Sequence, residues 1–206
     1  MTTVIIMGGD SSMLREAKKK ALKEKIFLQS MRLFVEKGFD YVTIEEITRS
    51  CGIAKGTFYN YFPQKESILL YLGSSQMEFI QQNISKYDHL EIKERIFKLF
   101  DDLTSRYLEH PELIRVFLSE MIRSSGLMKE EQKTIDHFRS VLMKLIDEAK
   151  QSNQIVGNPS SEHVTSVLMA IYFYSLVNWS IANSDKKALK SMIRNQLEII
   201  WKGVHS

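Results

Sequence analysis

Cysteine is almost missing. The chain has one, Cys51, so no disulfide can form within it, and such sparing use suits a reducing compartment. The residue is read as a small side chain packed at a turn, the alternative being a redox sensor. Proline occurs three times and glycine nine times in 206 residues, few enough breaks to favour long helices over many short strands. A long purely apolar run is also lacking. The longest uncharged stretch, 164–184, is interrupted by Thr165, Ser166, Ser175, Asn178, Ser180 and Asn183, so it is read as a buried helix and not a membrane span. Residues 4–7 are too short for the apolar part of a signal peptide and have no basic lead-in. A cytoplasmic protein is expected. The five histidines, His89, His110, His137, His163 and His205, are scattered, with no metal-binding spacing. No serine or cysteine has a recognised nucleophile setting, and Gly8-Gly9-Asp10 is not followed by the Lys-Ser/Thr of a phosphate loop. The sequence therefore points away from an enzyme, and no metal or cofactor is expected.

What is present is a dense motif at 43–65. Thr43 is a good N-cap, Glu46 completes a capping box, and Val42 and Ile47 can form a hydrophobic staple. A short helix over about 44–50 follows. Cys51-Gly52-Ile53 makes the turn, with Gly52 supplying the backbone freedom of a sharp corner. A second short helix over about 54–61 carries Lys55, Thr57, Tyr59, Asn60 and Tyr61. Short helix, three-residue turn and short helix is the geometry that seats a recognition helix in the major groove. Charge agrees. Residues 1–65 hold 11 Lys/Arg against 7 Asp/Glu, a net +4, whereas 66–206 hold 17 against 18, a net −1. In this reading Lys55 meets a guanine edge or a phosphate, Thr57 a phosphate or a thymine methyl, and Asn60 an adenine. Gly56 permits close approach, and Thr43 and Lys65 sit at helix N-termini, which attract phosphate. Ile47, Ile53, Phe58 and Phe62 are expected to form the small core. Lys18, Lys19, Lys20 and Lys23, on a preceding helix to Lys37 that Gly38 ends, either reach DNA or form a solvated face.

The run T-I-E-E-I-T-x-x-C-G-I-A-K-G-T-F-Y-N-Y-F-P-Q-K-E, from Thr43 to Glu66, resembles the N-terminal domain of the TetR family of bacterial transcriptional regulators, and the likeness extends over 18–72. Ala54 and Gln64 depart from the pattern, since each stands where a capping side chain is common. The resemblance implies that the Tyr59 and Tyr61 phenols reach phosphates. It implies further that the chain is a homodimer on a palindromic stretch of double-stranded DNA, and that the middle helices hold a small-molecule cavity.

The expected organisation is all-α, with about nine helices: a flexible tail over 1–14, a three-helix helix-turn-helix DNA-binding domain over 15–63, and a helical effector-binding and dimerisation domain over 64–206. A linking helix spans about 65–85. Further helices run over about 90–110, 111–124, 129–151, 161–183 and 186–203, with Gly126 read as a break and 157–160 as a loop. The last two helices are the expected dimer interface, the final one having an apolar stripe from Leu189 to Trp201. Large adaptable side chains name the candidate cavity residues: Met77, Phe100, Leu103, Tyr107, Phe117, Met121, Phe138, Tyr172 and Trp179. They suit an apolar or aromatic effector, with Glu120, Arg123, His137, Asn178 or Tyr172 as polar anchors. Two forms of control stay open: release of a repressor by such a ligand, or control of the same fold by a protein partner.

Overall fold

A computed structural model describes residues 9–157, 159–182 and 185–205. Among them the chain is all-α, with nine helices and no strand. It divides into two units, Met1–Tyr71 and Leu72–Ser206. The expected tail at 1–8, and positions 158, 183 and 184 in the expected loop and helix end, lie outside the described residues.

In the first unit α1 runs Gly9–Lys37, so the helix takes in positions the sequence reading gave to the tail. No proline stands between Gly9 and Lys37, and an existing helix extends by one bond per residue. Gly38 ends it at φ +89°. In α2, Ile44–Cys51, the Thr43 hydroxyl accepts a hydrogen bond from the Glu46 N–H at 3.2 Å. Gly52 closes the helix at φ +67°, a conformation in which a Cβ is strained, and Ile53 N–H returns to the Thr48 carbonyl at 3.0 Å. The next helix, α3, is Lys55–Tyr59, shorter than the 54–61 expected. Ala54 offers no side-chain cap, and beyond Tyr59 the chain turns into Pro63, which has no N–H to continue a helix. Five residues cannot hold a helix alone. Phe58 and Phe62, both buried, fix it: their rings lie 6.0 Å apart, and Phe62 meets Tyr71 edge-on at 5.7 Å. Tyr71 in turn meets Phe27 of α1 at 5.2 Å. Ile47 is fully buried in the same core, whereas Ile53 is only half-buried.

Helix α4, Glu66–Asn83, starts in the first unit and continues into the second. It ends two residues before the expected 85, in a 3-10 turn at Ile84–Tyr87. The second unit follows with α5 Ile92–Tyr107, α6 Pro111–Arg123, α7 Ser125–Gln151, α8 Ser161–Ala182 and α9 Lys186–His205. Gly126 does not break the chain as the sequence reading had it. It sits in the first turn of α7, whose N-cap Ser124 accepts from the Leu127 N–H at 3.2 Å. Helix α7 packs on α5, α6 and α8, and α9 packs on α5 and α8. The buried Ser175 hydroxyl of α8 donates to Gln196 of α9 at 2.8 Å.

The last two helices, the expected dimer interface, leave part of their apolar surface uncovered. Helix α8 is long and apolar enough to cross a membrane by composition, yet Val164, Leu168, Leu176 and Trp179 fill the core. Its other side exposes Val167, Ala170, Tyr174, Asn178 and Ile181, spaced three or four residues apart and therefore on one face. Helix α9 buries only the row Leu189, Ile193 and Leu197; Met192, Gln196, Ile200 and Trp201 are half-buried and Ile199 is exposed.

The aromatic anchor of α3 gives a direct expectation. Phe62→Ala removes a nearly fully buried ring and costs about 3–5 kcal/mol of stability. Urea denaturation of the variant, compared with the exposed-site control Tyr41→Ala, measures the difference.

Candidate nucleic-acid interface and ligand cavity

The short helix α3 presents Lys55, Gly56 and Tyr59 to solvent, with Asn60 exposed just after it and Thr57 and Tyr61 half-buried. Asn60 and Tyr61 therefore lie beyond the helix proper, in the turn that leads to Phe62. The Lys55 ammonium bonds Glu45 of α2. That bond raises the proton affinity of Lys55 and lowers that of Glu45, so both stay charged. Thr43 is exposed, its hydroxyl already serving as the cap.

Several lysines of this unit work inside the fold. Lys65 donates to the Phe39 and Val42 carbonyls at 2.7 and 3.0 Å and lies 4.3 Å from the centre of the Phe39 ring. Its side chain thus ties the corner between α1 and α2 to the start of α4. Lys25 donates to the Cys51 carbonyl at 3.0 Å, at the negative end of α2. Lys23 stands 4.5 Å over the Tyr71 ring. Lys18 and Lys19 of the expected basic cluster are exposed. Cys51 is buried, and burial raises its thiol pKa, which makes it a poor nucleophile.

The second unit encloses a cavity of about 420 Å³, within the range of small-molecule sites. Seven of the nine expected residues line it: Met77, Leu103, Tyr107, Phe117, Met121, Phe138 and Tyr172. Two do not. Phe100 lies behind the wall, its ring 5.1 Å from that of Tyr172 and 5.8 Å from that of Phe138. Trp179 is buried under Arg115, with the guanidinium 4.8 Å from its ring. Both are large, but each points to a neighbouring helix and fills core. Of the five expected polar anchors only Tyr172 lines the cavity. Glu120 is bonded by Arg123, and His137 pairs with Gln81 at 3.0 Å.

The polar group that matters was missed. Glu131 of α7 is only 5% exposed and lines the cavity, with its Oε2 lacking any hydrogen-bond partner. Burial pushes its carboxyl up to about 7, against a smaller opposing effect of the Thr134 hydroxyl. Burial, and after it the Glu131 charge, also raise the Tyr107 phenol. Opposite stands Gly73 of α4: a Cβ there would lie 1.9 Å from Glu131 Oε1. A side chain at position 73 would displace the carboxyl. The signal was in the sequence, because Glu131 follows Leu127 by four residues and precedes Phe138 by seven, on the apolar stripe of its helix. Among the described residues no group of three His, Cys, Asp or Glu could hold a metal ion.

Residues 26–72 match the sequence model of the bacterial regulatory proteins of the tetR family. This stretch is a TetR-family domain. Over 130 residues, 59% of this chain and 42% of the relative, the chain is 35% identical to the HTH-type transcriptional regulator YerO of Bacillus subtilis (strain 168), so it spans less than half of that relative's length. A TetR-family transcriptional regulator of Syntrophomonas wolfei superposes with a TM-score of 0.78, at 24% identity, over 90% of this chain and 97% of the other. Thermus thermophilus FadR, a TetR-family transcriptional repressor in complex with lauroyl-CoA, does so with a TM-score of 0.65, at 22% identity, over 88% and 94%. These two structures share the fold with the chain described above.

The buried acid makes stability depend on pH. Its folded pKa of about 7 lies above the ordinary 4.5, so the folded state holds a proton that the unfolded state has released. Stability from this group is full below 4.5 and falls as pH rises through about 7. Glu131→Gln removes the fall, and thermal melts across that window should show the variant gaining on the wild type as pH rises.

Proposed function

We propose that this chain is a cytoplasmic, dimeric transcriptional repressor that binds a palindromic operator and is released by a small, mainly apolar ligand. One observation carries the reading: α4 is a single helix that contributes Glu66–Tyr71 to the unit bearing α3 and Gly73, Gln76 and Met77 to the cavity wall. A ligand that prefers one placement of α4 over another changes DNA affinity by its differential affinity for the two states, typically about 1–3 kcal/mol. The cavity favours a small molecule over a protein partner as the controlling signal, and the lauroyl-CoA bound by Thermus thermophilus FadR is a precedent for a ligand with an apolar acyl chain on the same fold.

On the DNA side, exposed Tyr59 and Asn60 would approach a groove, Lys55 would join them on leaving Glu45, Gly56 would give room, and Thr57, Tyr61 and Thr43 would add contacts. Lys65 acts chiefly by holding the corner, through the bonds described above. One helix of five residues spans few base pairs, so specificity requires two copies on two half-sites. The exposed apolar row of α8, with Ile199 of α9, is the surface a second copy would cover.

The test is selection of bound DNA from a random pool. A palindromic site is expected, with affinity falling steeply as salt rises. Tyr59→Ala should weaken binding while leaving the fold intact, and Ile181→Glu should yield a monomer that binds poorly; a monomeric wild type or a flat salt response overturns the reading. Glu45→Gln, by freeing Lys55, should tighten binding and steepen the slope of log K against log salt by about one phosphate contact. Filter binding at several salt concentrations measures it.

A further inference from the structure

We propose that the cavity of the second unit takes an apolar ligand carrying one positive charge, an alkylammonium or comparable organic cation, with Glu131 as its counter-ion. The inference rests on the ligand-responsive reading above and names the ligand class.

A buried carboxylate needs a partner or a proton. Among the described residues Glu131 has no ion pair, its Oε2 is unpartnered, and the surrounding wall is apolar. The charged and titratable groups that line the cavity besides it are few. Helix α5 gives Tyr107, α8 gives Tyr172, and α7 itself gives Arg139; α4 and α6 give none. Tyr107 and Tyr172 are neutral phenols, pushed further from ionisation by burial. Arg139 follows Glu131 by eight residues, about 12 Å along the helix, too far for a direct pair; it is half-exposed, although its Nε is buried without a hydrogen-bond partner. In the empty cavity the carboxyl therefore takes up a proton near neutrality.

A ligand cation supplies what the protein withholds. It pairs with the carboxylate against a mainly apolar wall, and the faces of Tyr107, Phe117, Phe138 and Tyr172 add attraction for positive charge. A ligand carboxylate placed at the same point meets repulsion or must itself be protonated. Gly73 keeps the place of the carboxyl clear, since a methyl group there would collide with Oε1. Binding of the cation drives the proton off Glu131, so affinity rises as pH passes upward through about 7.

The experiment uses the full chain and three probes of one tail length, each below its micelle concentration: dodecyltrimethylammonium, dodecanol and dodecanoate. Affinities are measured by calorimetry below and above neutrality, and release of the selected operator is measured separately. The cation should bind about ten-fold or more tightly than dodecanoate, and more tightly at the higher pH. In Glu131→Gln the cation should lose about ten-fold while dodecanol changes by less than about three-fold. The probe series on the unaltered protein stands without the variant. Tightest binding of dodecanoate, equal cation affinity in Glu131→Gln, or no binding of any probe overturns the inference. Cation binding that depends on Glu131 but leaves operator binding unchanged upholds the ligand class and removes the ligand-responsive reading instead.

Discussion

Helix α3 exists only because two phenylalanines are out of water. Helix α3 has five residues and no side-chain cap, too little to pay for its own nucleation. Phe58 and Phe62 are held against Tyr71 and, through it, against Phe27 of α1, so the helix is a surface feature of an aromatic core. That arrangement separates two duties along one short segment. The inward residues fix position, and the outward ones, Lys55, Tyr59 and Asn60, are exposed. A reading surface can therefore change while its support stays the same.

The second unit solves a different problem. A protein interior is normally filled to the density of an organic crystal. Here side chains from five helices leave a space of about 420 Å³, and an acid is buried in its wall. Both features cost the fold stability. Under the proposed ligand-responsive function, an occupant would offset both costs, and α4, which runs from the cavity wall into the unit that bears α3, would carry its effect.

Much of this was readable in the sequence where local chemistry decides the outcome. Thr43 caps α2, Gly52 makes the corner, and Ile47, Phe58 and Phe62 are buried, because each of these depends on a few adjacent residues. The sequence was less informative where neighbours in space decide. Gly126 looked like a break, yet Ser124 caps α7 one residue before that helix begins. Phe100 and Trp179 looked like cavity residues by size, but the direction of a side chain on its helix is set by packing partners the sequence does not name. Glu131 was overlooked because charge was read as exposure, although its register on α7 placed it on the apolar stripe. The last two helices, expected as the dimer interface, leave apolar side chains exposed in the single chain.

The internal use of lysine has a consequence for sequence variation. Lys65 directs a compact ammonium at two carbonyls and a ring face, a tripod of donors on a flexible stem. Arginine carries the same charge on a broad planar fork that does not fit that corner. A swap that looks neutral by charge would leave the electrostatic field around the unit unchanged and still loosen the joint between α1 and α2. Counting basic residues thus overstates how many are available to a phosphate backbone and hides how many are mortar.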